Sequence, residues 1–193
     1  MSDNYPYEND VVVEIDGKSH NSWKNYDIDS DFLIPADAFA FDIGVPSDST
    51  ILPDYSGAEV KVRINDTLVM TGIVDTVQHS ISKTNRTYRL NGRDKASVLV
   101  DCSAPITNVK RLTVLDAVKK IVEPLGIKQV QLKAENNPLL DKVDIDVGET
   151  AWNAAMRCAN SAGLHLWFEP NGVLIVGGAD YSTPPVATLC CMK

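Results

Sequence analysis

The sequence predicts a mainly β protein in two parts: an N-terminal antiparallel β-barrel over residues 8–102 and a small α+β domain over residues 108–178. Three observations carry that reading. Short runs through residues 10–100 alternate apolar and polar side chains, the period of half-buried strands. From residue 113 onward the apolar spacing becomes helical. Between them lies Ser103-Ala104-Pro105-Ile106-Thr107, which has linker character.

The first part opens with Val11, Val13 and Ile15 on one face, followed by Asp16-Gly17, a hairpin-turn dipeptide. Trp23 to Ile28 is the next strand candidate. Phe39, Phe41, Ile43 and Val45 share one face of a third, which Pro46 and the Ser-Asp-Ser run after it break. Val60, Val62 and Ile64 then alternate with charged residues. Leu68 to Val74 is apolar on both faces, as expected of a central strand, and Gly72 inside it suggests a bulge or a barrel corner. Ser82-Lys83-Thr84-Asn85 reads as a turn, and Tyr88 and Leu90 alternate with Arg89 and Asn91. Short strands at this spacing, with no long helix between them, favour a barrel, which leaves no free sheet edge.

In the second part, Thr113 to Asp116 has the form of a capping box. Leu115, Val118, Ile121, Val122 and Leu125 make the apolar stripe of the helix that follows. Gly126 suits its C′ position, and Pro124 shortens its last turn. Ile127 to Leu132 reads as a strand. A second helix spans Thr150 to Ala162, with Trp152 facing inward to anchor it and Gly163 as its stop. Leu164–Phe168 and Val173–Val176 form a hairpin around Pro170-Asn171-Gly172. Residues 179–193 read as an irregular tail or as the truncated start of a further barrel.

Composition narrows the function. The net charge of −8 argues against a general affinity for nucleic acid, which needs a basic surface. The charge is uneven: −11 over residues 1–59, +7 over 60–134 and −4 over 135–193, a pattern of either solvated faces of one domain or complementary surfaces that meet between subunits. No apolar run approaches the ~20 residues of a membrane helix, and the N-terminus lacks the features of a signal peptide. Folding in a cytoplasm is expected, with no membrane insertion. Cys102 and Cys158 read as core residues, and Cys190-Cys191 lies in the irregular tail.

No assembled chemistry is legible. His20, His79 and His165 have no partner at metal-ligand spacing. Asp27, Asp29 and Asp31 imitate the start of a calcium loop, but Phe32 and Ala38 stand where its glycine and glutamate belong. Asp144 and Asp146 are a carboxylate pair with nothing to set their environments apart. No catalytic residue, cofactor or metal site is therefore expected.

One ordered set of motifs is more specific. Gly72-Ile73-Val74-Asp75 precedes Tyr88-Arg89-Leu90-Asn91-Gly92-Arg93-Asp94, and Leu99-Val100-Asp101 follows. Gly148 to Trp152 then opens a helix that ends at Ala162-Gly163-Leu164 and leads to Trp167-Phe168-Glu169. This succession resembles the baseplate hub (tail P-like) proteins of Mu-like contractile phages. It is also similar to late-control D proteins and type VI secretion spike proteins. The resemblance implies tail-tube-like β-barrels with an α+β domain between them, and a structural protein rather than an enzyme. It implies a homotrimer whose two barrels per subunit make a pseudo-sixfold ring between the tail tube and tail spike proteins. DNA would be passing cargo, not specifically bound. The location would be the virion tail baseplate, assembled in the host bacterial cytoplasm. The chain ends where that family continues into its second barrel.

Within this reading Gly92 permits close backbone approach or positive φ, and Arg93 and Asp94 are either a charge-assisted pair fixing the strand exit or two exposed charges. Asp27, Asp29 and Asp31 are the acids expected to line a DNA channel. Two alternatives compete: a carbohydrate- or cell-surface-binding β module using Trp23 and Tyr26, and a cell-wall hydrolase acting in injection through Asp144 and Asp146.

Overall fold

The structure, a computed structural model, describes residues 10–32, 34–44, 54–82, 86–105 and 109–178. Val45 with Pro46 and the serines after it, residues 83–85 of the expected turn, Ile106 and Thr107 of the linker, and the tail 179–193 lie outside the described residues.

Seven antiparallel strands make the first lobe: β1 (Val11–Ile15), β2 (Lys18–His20), β3 (Asn25–Ile28), β4 (Ala38–Gly44), β5 (Glu59–Ile64), β6 (Thr67–Ile81) and β7 (Arg86–Asp94). Their order in the sheet is β2-β1-β5-β6-β7-β4-β3, so β6 is the central strand, as its two-faced apolar sequence predicts. Two tight turns set the register. Asp16 and Gly17 have φ of 47° and 75°, and Asn65 and Asp66 have 49° and 64°. Consecutive left-handed residues give the primed turn that matches strand twist, which is why short polar residues and glycine occupy them. One face of the sheet buries Val11, Val13, Ile15, Phe41, Val60, Val62, Val74, Tyr88 and Leu90 in a single core.

The sheet curls because β6 carries one extra residue at two places. Its register slips opposite Val62 and Arg63, and again between Val74 and Thr76, where Asp75 is unpaired against Gly92 and Asn91. Each bulge bends its strand and adds twist. The curl gives the expected barrel-like first part the form of a half-barrel. Among the described residues β2 and β3 end the sheet without pairing to each other, leaving a half-barrel. Both end strands are short and largely exposed.

The second lobe holds α1 (Ala96–Asp101), β8 (Val109–Thr113), α2 (Val114–Val122), β9 (Val130–Lys133), β10 (Leu139–Val143), α3 (Ala151–Asn160), β11 (His165–Phe168) and β12 (Leu174–Gly177). Strands β8 and β10 pair antiparallel, and β11-β12-β9 forms a mixed sheet in which β12 and β9 run parallel. Thr113 Oγ1 accepts from the Asp116 N–H at 3.2 Å, and Thr150 Oγ1 accepts from the Asn153 N–H at 3.2 Å, so both helices begin at side-chain caps. After α2 a 3-10 turn, Glu123–Leu125, takes up Pro124, and Gly126 follows with φ 92°. Gly163, with φ 70°, ends the turn after α3. Val118, Ile121, Trp152, Ala155, Cys158, Leu166 and Leu174 form the core of this lobe. Helix α1, which falls inside the expected barrel range, also packs here through Ala96 and Leu99.

Candidate functional site

The motif residues converge on the joint between the lobes. Strand residues alternate faces, so Arg93 and Asp94 at the end of β7 point in opposite directions. They therefore do not form the mutual pair that their adjacency suggests. Arg93 turns outward and is held from two sides. Its Nε donates to Asp75 Oδ2 at 2.7 Å and one Nη to Asp75 Oδ1 at 3.3 Å. The Nη groups also donate to Asp101 at 2.7 and 3.2 Å. Asp75 is the bulge residue of β6, and Asp101 ends α1. One guanidinium thus ties the central strand of the first lobe to the first helix of the second by two forked contacts, a geometry its planar donors suit. The Arg93 bonds hold the Asp101 carboxyl below its usual range.

Asp94 turns inward and is buried. Its Oδ1 accepts from the Ala96 N–H at 2.9 Å, and its carbonyl accepts from Ser97 Oγ at 2.8 Å, so it starts α1. Burial raises its carboxyl to about 6, with Asp37 adding repulsion. Two glycines close the joint. A Cβ on Gly72 would lie 2.2 Å from the Arg93 carbonyl oxygen, and one on Gly92 would lie 2.3 Å from the Ile73 carbonyl oxygen and from the Phe39 ring. Gly92 therefore serves close backbone approach, not positive φ. Elsewhere across the joint, Thr71 Oγ1 donates to the Pro170 carbonyl at 2.7 Å, and Lys95 pairs with Glu59 at 3.3 Å beside Gly172.

The expected acids separate. Asp27 and Asp29 are exposed and share a recess of about 250 Å³ with Asp75, Asn91 and Arg93. Asp31 lies instead in a cleft at the lobe joint with Phe32, Asp37, Trp152 and Trp167. Trp152 is buried in the second core, as an anchor for α3 should be. A larger open recess of about 590 Å³ lies at the far end of β6 and β7, lined by Asp42, Gln78, His79 and Arg89, with an Arg89–Asp42 pair at 3.5 Å.

Residues named for other chemistries have structural partners. Trp23 packs on Phe41 at 4.7 Å and donates to the Val11 carbonyl, so it offers no free platform beside Tyr26. Asp144 pairs with Lys142 at 2.6 Å and Asp146 with Arg157 at 3.6 Å, both at the surface. His79 stands edge-on to Tyr88 at 4.8 Å. Among the described residues no group of His, Cys, Asp or Glu could hold a metal ion. None of their helices is long and apolar enough to cross a membrane. Sequence reasoning missed Asp75, Asp101 and Asp37 as partners at the joint. The first two stand inside the quoted motifs, but only the bulge and the unforeseen helix α1 bring them to Arg93.

Two family models cover nearly all the described chain. The model of the N-terminal domain of Mu phage baseplate assembly protein GpP-like proteins matches residues 10–94, and that of the second domain of baseplate hub protein gp44-like proteins matches residues 96–178. The chain belongs to this family of Mu-like phage baseplate hub proteins, whose members are structural components and not enzymes. It is 21% identical over 175 residues to the baseplate hub protein gp44 of Escherichia phage Mu, covering 89% of this chain and 46% of gp44. Among solved structures it is similar to a tail protein from Neisseria meningitidis MC58, at 55% identity and a TM-score of 0.84, over 97% of this chain and 57% of that one. A 43 kDa tail protein of prophage MuSo2 from Shewanella oneidensis matches at 25% identity and a TM-score of 0.78, over 88% of this chain and 53% of the other. The chain thus spans about half the length of these relatives.

Proposed function

We infer that this chain forms part of a homotrimeric ring at the baseplate hub, joining the tail tube to the central spike and letting DNA pass. The observation that carries this is the succession of the two hub domain models over a half-barrel whose end strands have no further strand beside them among the described residues. Unpaired edge strands offer backbone donors and acceptors to a neighbour, and β2 and β3 present theirs at opposite ends of one sheet. Such an edge suits a part completed by assembly better than one that works alone. Asp27 and Asp29 are the acids for the channel wall: both are exposed, and a negative lining repels phosphate so that DNA slides past it. Asp31, in the neighbouring cleft, stands apart from them.

Electron cryomicroscopy of purified tails tests the ring. The expected result is density for this chain as a ring where tube meets spike, and density elsewhere on the virion overturns it. The channel role has its own test. Phage carrying Asp27→Lys with Asp29→Lys should assemble tails and eject DNA more slowly than wild type, whereas unchanged ejection removes these acids from the channel.

A further inference from the structure

The loop between β3 and β4 reaches from the first lobe onto the second. At its base the Asp29 N–H donates to the Ala38 carbonyl at 2.9 Å, and the Asp94 N–H donates to the Asp37 carbonyl at 2.8 Å. The Asp37 carboxylate draws the two limbs of the loop together, accepting from Ser30 Oγ at 2.7 Å and from the Asp31 N–H at 2.9 Å. On the second lobe, the Phe32 ring stands 5.3 Å from that of Trp167. Two features work against this closed form. Phe32 and Ile34 remain 62% and 64% exposed, so closure buries little of their apolar surface. Ala36 has φ 70°, a left-handed backbone that is strained for an alanine.

Under the loop lies a cleft of about 30 Å³, lined by Asp31, Asp37 and Asp94 together with Phe32, Trp152 and Trp167. Such a space holds a water or two, too few to hydrate three carboxylates. Among the described residues no Lys, Arg or His lines it. Arg93, beside Asp94 in the chain, turns outward to Asp75 and Asp101. Lys95 is drawn to Glu59 at 3.3 Å. On β6 the residue paired with Asp94 is Gly72, and the second lobe brings only Ala96 and aromatic rings to the cleft. Asp94 is the most enclosed of the three acids, at 9% exposed. Burial and the Asp37 charge raise its carboxyl to about 6, so the cleft gains a charge as pH passes that value. Among the described residues no such group is placed to hold a metal ion, and a proton is the cation that relieves these acids.

We propose that Asp94 is a proton-set latch for this loop: protonated, it lets the loop lie closed against Trp167, and ionised, it drives the loop off the second lobe. The neutral carboxyl needs little water and does not repel Asp37. The charged one gains hydration and distance from Asp37 when the loop lifts, and the strain at Ala36 is released in the same movement. The folded-state value lies above the ordinary one, so the closed form is complete at low pH and is lost as pH rises through about 6. The forked Arg93 contacts and the Thr71–Pro170 bond hold the lobes together in both states, which confines the change to the loop.

Amide hydrogen exchange on the full chain tests the latch at about pH 5 and about pH 7.5, on either side of the titration, with Asp94→Asn as the form that stays neutral at both. The Asp31 and Ile34 N–H groups report opening, since both are bonded within the loop. Dividing the wild-type rate by the variant's at the same pH cancels the intrinsic pH dependence of exchange. That ratio should rise from the acid to the higher pH by at least about ten-fold, the factor carried by one pKa unit. A ratio that does not change with pH overturns the latch. The loop amides should also exchange well ahead of the Leu90 N–H in the central ladder, and exchange in step with Leu90 would mark unfolding of the whole lobe and overturn it as well. Should Asp94→Asn fail to fold, Asp94→Ser keeps an acceptor for the Ala96 N–H and serves in the same comparison.

Discussion

Gly92 shows how little room the joint leaves. A methyl group there would press on the Ile73 carbonyl and on Phe39, both fixed by the sheet, so the strands would have to part. Gly92→Ala should lower stability by about 1–3 kcal/mol, as overpacked sites do, measured by chemical denaturation. Gly72→Ala should cost a similar amount, since its obstacle is also backbone. Arg93→Lys tests the double fork. A lysine keeps the charge but cannot make two planar pairs, so it should recover little of the roughly 1 kcal/mol lost in Arg93→Ala. Asp94 predicts a pH effect. Its folded-state carboxyl stands at about 6, above the ordinary 3.8, so the fold favours the protonated form. Its contribution is fully present below about pH 4 and is lost as pH rises through about 6. The stability of wild type relative to Asp94→Asn should therefore fall by up to about 3 kcal/mol between pH 4 and pH 7. A flat difference would remove the buried carboxyl from the account.

Elements differed in how openly the sequence displays them. The strands β1, β5 and β6 are plain because their inward positions are all apolar and their turns carry Asp16-Gly17 and Asn65-Asp66. Helices α2 and α3 are plain because Thr113 and Thr150 cap them ahead of apolar stripes. Helix α1 is hidden: six residues of mostly apolar sequence extend a strand equally well, and the Asp94 carboxylate accepting from the Ala96 N–H is a contact that the sequence does not display. Strands β8 and β10 are hidden because they pair mainly with each other, and β10 buries only Leu140 closely. The Arg93 clamp was half legible. Its three residues stand in recognisable motifs, but pairing Arg93 with Asp75 needs the bulge, which is a property of two strands together. At this scale Trp152→Ala should cost about 3–5 kcal/mol, because α3 packs its side chain into the second core. Thermal unfolding would register it as a lower midpoint for the second lobe.

At the scale of the whole molecule, the two lobes meet through fixed groups: the forked guanidinium, the Thr71–Pro170 bond and the Lys95–Glu59 pair. These set the half-barrel at one angle to the α+β lobe. A ring needs such a body, because a swivelling joint would let copies meet at many angles and would not close. Among the described residues the sheet ends at β2 on one side and β3 on the other. The protein's family places it in a tail baseplate. Size-exclusion chromatography with multi-angle light scattering on the 193-residue chain tests this most directly. The account predicts a species near three times the 21.1 kDa chain mass, and a single 21.1 kDa species at every concentration would contradict it.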